Sequence, residues 1–234
     1  MKMFIRSLTA VVGLALSAAT SHATLSLDFS STVGSTIQFN GSADSFQFNT
    51  STTPGYSGSQ FYITSENGGA GDGTLAVGLF GVFNNGPFNY DNITSGGGLQ
   101  SATVTGPLAS LVLSDGLGNN LTGTVNWVEI TTLGSAGGIN GDLIINLTGL
   151  AYSGSNQDLK TLVAASEGAL DLTFQFGSGM TLSQLSSGSG GYTTSFSGSM
   201  SVQTAVPEVS QVYAILFLMG ILGAASALQR FAVK

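Results

Sequence analysis

The sequence has no cysteine, and only 7 % of its 234 residues carry charge. Without cysteine there is no disulfide framework, no thiolate zinc site and no cysteine nucleophile. The single histidine is His22, close to the N-terminus, so the body of the chain has no imidazole either. Ser–His–Asp hydrolysis then lacks its base, and catalytic zinc lacks its usual ligand. Cations are scarce: Lys2, Arg6, Lys160, Arg230 and Lys234 are all there are. Between residues 24 and 206, Lys160 stands alone against every acidic residue except Glu208, a formal charge near −10. Nucleic-acid affinity comes from Lys and Arg neutralising phosphates, so a nucleic-acid partner is excluded. Lys160 itself reads as a solvated surface lysine.

What is abundant is glycine, at 34 residues, with many Ser, Thr and Asn, while 42 % of the chain is hydrophobic. That is too apolar for a disordered chain. It suits β-strands joined by tight turns.

The two ends differ from the body. Lys2 and Arg6 precede a short apolar stretch, and Ser21 and Ala23 are small residues at −3 and −1 of a cut after Ala23. This is the layout of a secretory signal peptide over residues 1–23, in a signal helix too short to span comfortably. At the other end no residue between Val212 and Leu228 is charged, and Arg230 and Lys234 follow. A helix of about 17 residues is ~25 Å long, at the short end for a transmembrane span, and the basic tail favours a cytoplasmic C-terminus. Pro207 suits the first turn of such a helix, and Glu208 then sits where negative charge is favoured.

Val206-Pro207-Glu208, then an apolar helix, then a basic end resembles the sorting signal of PEP-CTERM proteins. The resemblance covers residues 204–234 only; Val209 stands where that family usually has a second proline. It implies an exported protein processed by an exosortase-like membrane enzyme, held in the membrane by its C-terminal helix before processing. It further implies a final place at the cell surface or outside the cell, in association with exopolysaccharide or biofilm matrix.

The body alternates polar and apolar residues. Leu25 to Phe29, Ser45 to Asn49 and Leu170 to Phe176 do so strictly, and the stretches around Leu108, Thr122 and Leu143 also read as strands. Roughly ten to twelve strands, split by Gly-rich turns, predict an all-β domain over residues 24–203. The expected architecture is an antiparallel two-layer β-sandwich, a jelly roll being one form of it, flanked by the signal helix and the sorting helix. One short helix is predicted from Leu159, and a last strand from Tyr192 followed by a linker to Pro207.

Candidate chemistry is thin. Asp72, Asp115 and Asp142 lie in Gly- and Asn-rich turn sequences that suit calcium, which takes oxygen ligands. Asp-Gly and Asn-Gly are also ordinary turn formers, and that reading is the stronger one. Glu66, Glu129 and Glu167 are candidates for the carboxylate pair of a glycosidase. Trp127, with Tyr56, Tyr62, Tyr90, Tyr152 and Tyr192, is the candidate for sugar stacking, against a packing role in the core. The Asn92, Asn120 and Asn146 sequons are expected by chance in so Asn- and Thr-rich a chain. The sequence therefore predicts a non-enzymatic, cofactor-free structural protein of the cell surface or extracellular matrix. A carbohydrate-binding module is the alternative.

Overall fold

The structure, a computed structural model, describes residues 21–68, 75–133, 141–165, 167–177, 179–188 and 191–206. The chain divides into two compact units. One is Thr24–Thr204; the other combines Met1–Ala23 with Ala205–Lys234, of which only residues 21–23 and 205–206 are described, as strand.

The larger unit is all-β. Its strands are β1 (Ser21–Ser31), β2 (Thr36–Asn40), β3 (Ser45–Asn49), β4 (Phe61–Asn67), β5 (Phe80–Asn84), β6 (Phe88–Gly96) and β7 (Leu99–Thr105). They continue with β8 (Ala109–Ser114), β9 (Asn120–Leu133), β10 (Gly141–Ala151), β11 (Glu167–Phe174), β12 (Gly191–Thr194) and β13 (Phe196–Val206). Helix α1 is Gln157–Ala164 and α2 is Leu182–Ser187.

Eight strands close on themselves in the order β1–β4–β5–β8–β9–β10–β11–β13 and back to β1. Closure rests on β10, which pairs with β9 on one side and β11 on the other, and on β13 lying beside β1. The two-layer sandwich expected from the sequence is therefore corrected to a closed antiparallel barrel of eight strands with five more attached. A closed ring leaves none of its eight strands with an unpaired edge.

The extra strands follow from the length of β9. Its first half pairs with β8, from Asn120↔Ser114 to Val125↔Ala109, and its last residues pair with β7, from Glu129↔Thr103 to Leu133↔Leu99. Between these stretches the register against β10 shifts: Ile145 faces Trp127 and Ile144 faces Glu129, so Val128 is a bulge. A bulge bends its strand and reverses which side chains face inward. Leu121, Val125 and Trp127 are buried before it, Ile130 and Thr132 after it. From β7 the second sheet continues through β6, β3 and β2 to β12.

The core is one cluster. Trp127 of the barrel is ringed by Phe83 from β5 and by Phe46, Phe48 and Phe88 from the second sheet, at centroid distances of 5.2–5.8 Å. Phe39 on β2 meets Phe174 on β11 at 5.0 Å. Such pairs contribute about 0.5–1.5 kcal/mol each beyond burial, which fastens the second sheet to the barrel. Along the barrel strands apolar residues point in and mostly Ser, Thr and Asn point out, the reverse of a lipid-facing barrel.

The membrane expectations are also corrected. Among the described residues no helix is long and apolar enough to cross a membrane. The two helices have 8 and 6 residues, ~12 and ~9 Å at the usual rise. Pro207, Glu208, Val212, Leu228, Arg230 and Lys234 fall outside the described residues, so the transmembrane sorting helix and anchoring by the C-terminus have no support. Ala23 lies in β1 and Val206 ends β13. The segment from Tyr192, expected to hold one strand and then a linker, holds the end of β12 and the whole of β13, which runs on to Val206.

Candidate functional site

Asp115 is the one sequence-predicted calcium candidate whose side chain is described. It sits at the end of the β8–β9 hairpin, nearly buried, with both carboxylate oxygens engaged. Oδ1 accepts from the backbone N–H groups of Leu117 (2.8 Å) and Asn119 (3.0 Å). Oδ2 accepts from the Asn119 amide (2.9 Å) and the Tyr152 hydroxyl (2.8 Å). Tyr152 in turn accepts from the Asn156 N–H at 3.0 Å. Burial alone would push the carboxyl up, but these four bonds outweigh it and bring it down to about 2. Burial, together with the neighbouring Asp115 charge, pushes the Tyr152 phenol up. The arrangement is an Asx turn that closes a tight loop and ties it to the segment before α1. Asp72 lies outside the described residues. Asp142 is on β10 opposite Thr173 and Thr131, its side chain not described. Among the described residues no group of three acidic or metal-binding side chains gathers.

The carboxylates proposed for glycosidase chemistry stand on three different strands: Glu66 on β4, Glu129 on β9 and Glu167 on β11. The barrel order puts β5 and β8 between the first two, and β10 between the last two. Lys160 is exposed on α1.

Trp127 cannot receive a sugar on its face. It is 4 % exposed and enclosed by four phenylalanines. Tyr90 is buried too; desolvation and the Asp44 charge push its phenol up, against a 3.1 Å hydrogen bond from Ser186.

The surface offers shallow grooves. One of about 440 Å³ runs past Ser30, Ser31, Thr173, Gln175 and Ser197. Another of about 460 Å³ is lined by Thr124, Asn126, Asn146, Thr148 and Glu167. Both linings are mixed, with Phe174 and Phe196 in the first and Leu108 and Leu147 in the second, and neither gathers a reactive constellation. A third, of about 230 Å³, lies beside Phe80, Val82 and Val112 with Ser57, Ser59 and Ser114 also lining it. Here Phe80 is 37 % exposed and pairs across β4–β5 with Tyr62, while Tyr56 reaches it from the loop over residues 50–60. The sequence singled out both tyrosines but not Phe80, which follows the apolar run Leu75 to Leu79 and carries no alternation of its own.

No family model, no curated protein and no solved structure matches this chain. The class is therefore defined by the fold alone: a closed eight-stranded antiparallel barrel with five more strands attached, shallow grooves outside and a buried core rich in aromatic rings.

Proposed function

We propose that this chain is an exported, non-catalytic structural protein of the cell surface or extracellular matrix, in contact with exopolysaccharide. Its N-terminal segment would be removed after Ala23, and its Val206-Pro207-Glu208 motif would be read by an exosortase-like processing enzyme. The observation that carries this reading is the wall of the barrel: rows of Ser, Thr and Asn on β9, β10 and β13, with Glu167, Asp171 and Thr173 on β11 and no cation among them. A surface of that kind hydrates well, repels acidic polymers and offers hydroxyls to neutral ones. The lack of His, Arg and Cys in the body supports the absence of catalysis.

The test is intact-mass analysis of the protein recovered from its own host, fractionated into cytosol, cells and extracellular matrix. A matrix-associated product beginning at Thr24 and ending near Pro207 is expected. A full-length polypeptide confined to the cytosol overturns the proposal.

The second reading, a carbohydrate-binding module, loses Trp127 as its platform. It is favoured by a different feature, the exposed aromatic cluster at Phe80.

A further inference from the structure

We propose that the outer wall of the barrel at β4, β5 and the loop over residues 50–60 binds a neutral polysaccharide chain, with Tyr56, Tyr62 and Phe80 packing against its sugar rings. The proposal rests on the matrix-protein reading and names the place where that protein meets its polymer.

Three rings meet where the rest of the barrel wall is largely Ser, Thr and Asn. Tyr62 and Phe80 are direct cross-strand partners on the outer face, with centroids 6.5 Å apart. Tyr56 stands edge-on to Phe80 at 5.9 Å. The inward neighbours Phe61, Ile63 and Phe83 already fill the core at this point, so the outward Phe80 adds nothing to it. An exposed apolar cluster rimmed by polar groups marks a binding surface.

The rim has the chemistry of a sugar's edge. Ser57 and Ser114 bring hydroxyls to the adjoining groove, Ser59 being buried, and none of its lining residues carries charge. Among the described residues neither the Tyr56 nor the Tyr62 hydroxyl has a hydrogen-bond partner. A pyranose ring presents C–H groups on its faces and hydroxyls around its edge, which matches aromatic rings inside and hydroxyls at the border. The groove is smaller than the roughly 300–1,000 Å³ of drug-sized pockets, so it seats a ring or two of a chain that continues along the surface. The interplanar angles of 79° and 49° make a cradle rather than a plane. That suits a single soluble chain better than the flat face of a crystalline polymer.

The site is held ready. The loop carrying Tyr56 is closed by Ser51 N–H to Ser59 O (2.8 Å) and Gly58 N–H to Ser51 O (2.9 Å), and its turn by Tyr56 N–H to Thr53 O (3.0 Å). The Ser59 hydroxyl donates to the Tyr56 carbonyl at 2.6 Å. Fixing the ring before binding removes an ordering cost from the association. Charge narrows the occupant. An acidic polymer, or a second copy of this chain, meets a body of formal charge near −10, and a cationic partner finds no carboxylate lining the groove.

The experiment is affinity electrophoresis of the full chain through gels containing hydroxyethyl cellulose or dextran, both neutral, or alginate, which is acidic. Retardation by at least one neutral glucan and none by alginate is expected. Phe80→Ala and Tyr62→Ala should each weaken that retardation at least about tenfold, or about 1.4 kcal/mol. Tyr56→Ala serves as an independent variant in the loop, and thermal melts certify that each variant is folded. Thr148→Ala, in the distant groove, should migrate like the parent. Retardation by neither neutral glucan, retardation by alginate alone, or neutral-glucan binding that survives loss of Phe80 overturns the proposal. So does a concentration-dependent dimer that Phe80→Ala abolishes, since the occupant would then be a second copy. A protein that fails here yet is recovered, processed, from the matrix leaves the structural reading intact and removes only this site.

Discussion

The ring of Phe174 on β11 ends directly over Gly141 on β10, its cross-strand partner, so that a methyl group added to Gly141 would stand 2.0 Å from Cζ. The same device recurs on another seam of the barrel, where a methyl on Gly81 would meet Cζ of Phe61, its partner, at 2.2 Å. In both pairs the glycine gives the inward-facing ring the space over its own Cα. The benefit is tight closure of a small barrel around bulky side chains, at the entropic cost that glycine brings to a strand.

Replacing Gly141 with alanine must therefore displace Phe174, which already packs against Phe39 and Phe176. Overpacking of this kind costs about 1–3 kcal/mol. The same change at Gly96, where nothing lies within 4 Å, should stay within about 0.5 kcal/mol. Urea unfolding of both variants decides it; equal midpoints would show that the ring moves freely.

Trp127 provides a second comparison. Its ring is enclosed, yet its Nε1 is buried without a hydrogen-bond partner among the described residues. Trp127→Ala should cost about 3–5 kcal/mol, because four neighbouring rings cannot collapse into the space. Trp127→Phe should cost clearly less, since it also removes an unsatisfied donor worth about 1–3 kcal/mol in the other direction. Chemical denaturation followed by far-UV circular dichroism measures both. Retardation by neutral glucans should survive Trp127→Phe, because the indole touches only the core.

Asp115 makes stability depend on acid. Its folded-state carboxyl titrates at about 2, against an ordinary value of 3.8. A group depressed on folding stabilises the protein fully above its unfolded value, and that contribution disappears as pH falls from about 4 towards 2. The melting temperature of the parent should drop through this window. Asp115→Asn should melt lower near neutral pH, because it cannot accept from all four donors, and should lose less on acidification. Parallel slopes for the two proteins would remove Asp115 from the account.

Much of the local structure was legible in the sequence. Leu25 to Phe29 and Leu170 to Phe176 alternate strictly, and they fall in β1 and at β11. The helix predicted from Leu159 is α1, begun two residues earlier by its Asn156 cap. Closure was not legible. Alternation tells that one face of a strand is buried, not whether the opposing layer is a second sheet or the same sheet curled round. The pairing that decides it joins β13 to β1, at opposite ends of the body. Helix α2 did carry a signal: Thr181 and Gln184 form the capping box that the sequence spells three residues apart. Of the aromatic cluster only the tyrosines were singled out; Phe80 was not, since its partnership with Tyr62 exists only once β4 and β5 are in register.

The start of α1 combines a strong cap with an uncomfortable neighbour. Asn156 Oδ1 accepts from the N–H groups of Asp158 (3.1 Å) and Leu159 (3.2 Å), and its amide donates to the Leu75 carbonyl at 2.8 Å. Asp158, the second residue of the helix, is fully buried, and neither carboxylate oxygen has a partner among the described residues. The helix N-terminus stabilises such a charge by about 0.3–1 kcal/mol. Leaving a buried polar group unsatisfied costs about 1–3 kcal/mol, more when it is charged, so the second effect dominates. Asp158→Leu is therefore expected to raise stability by about 1–3 kcal/mol. Asn156→Ala should lower it by about 0.5–2 kcal/mol through loss of the cap. Thermal and urea unfolding of the two variants, made in the same full chain, test this opposition. A destabilised Asp158→Leu protein would mean that the carboxylate is satisfied in solution by a partner such as water or a cation.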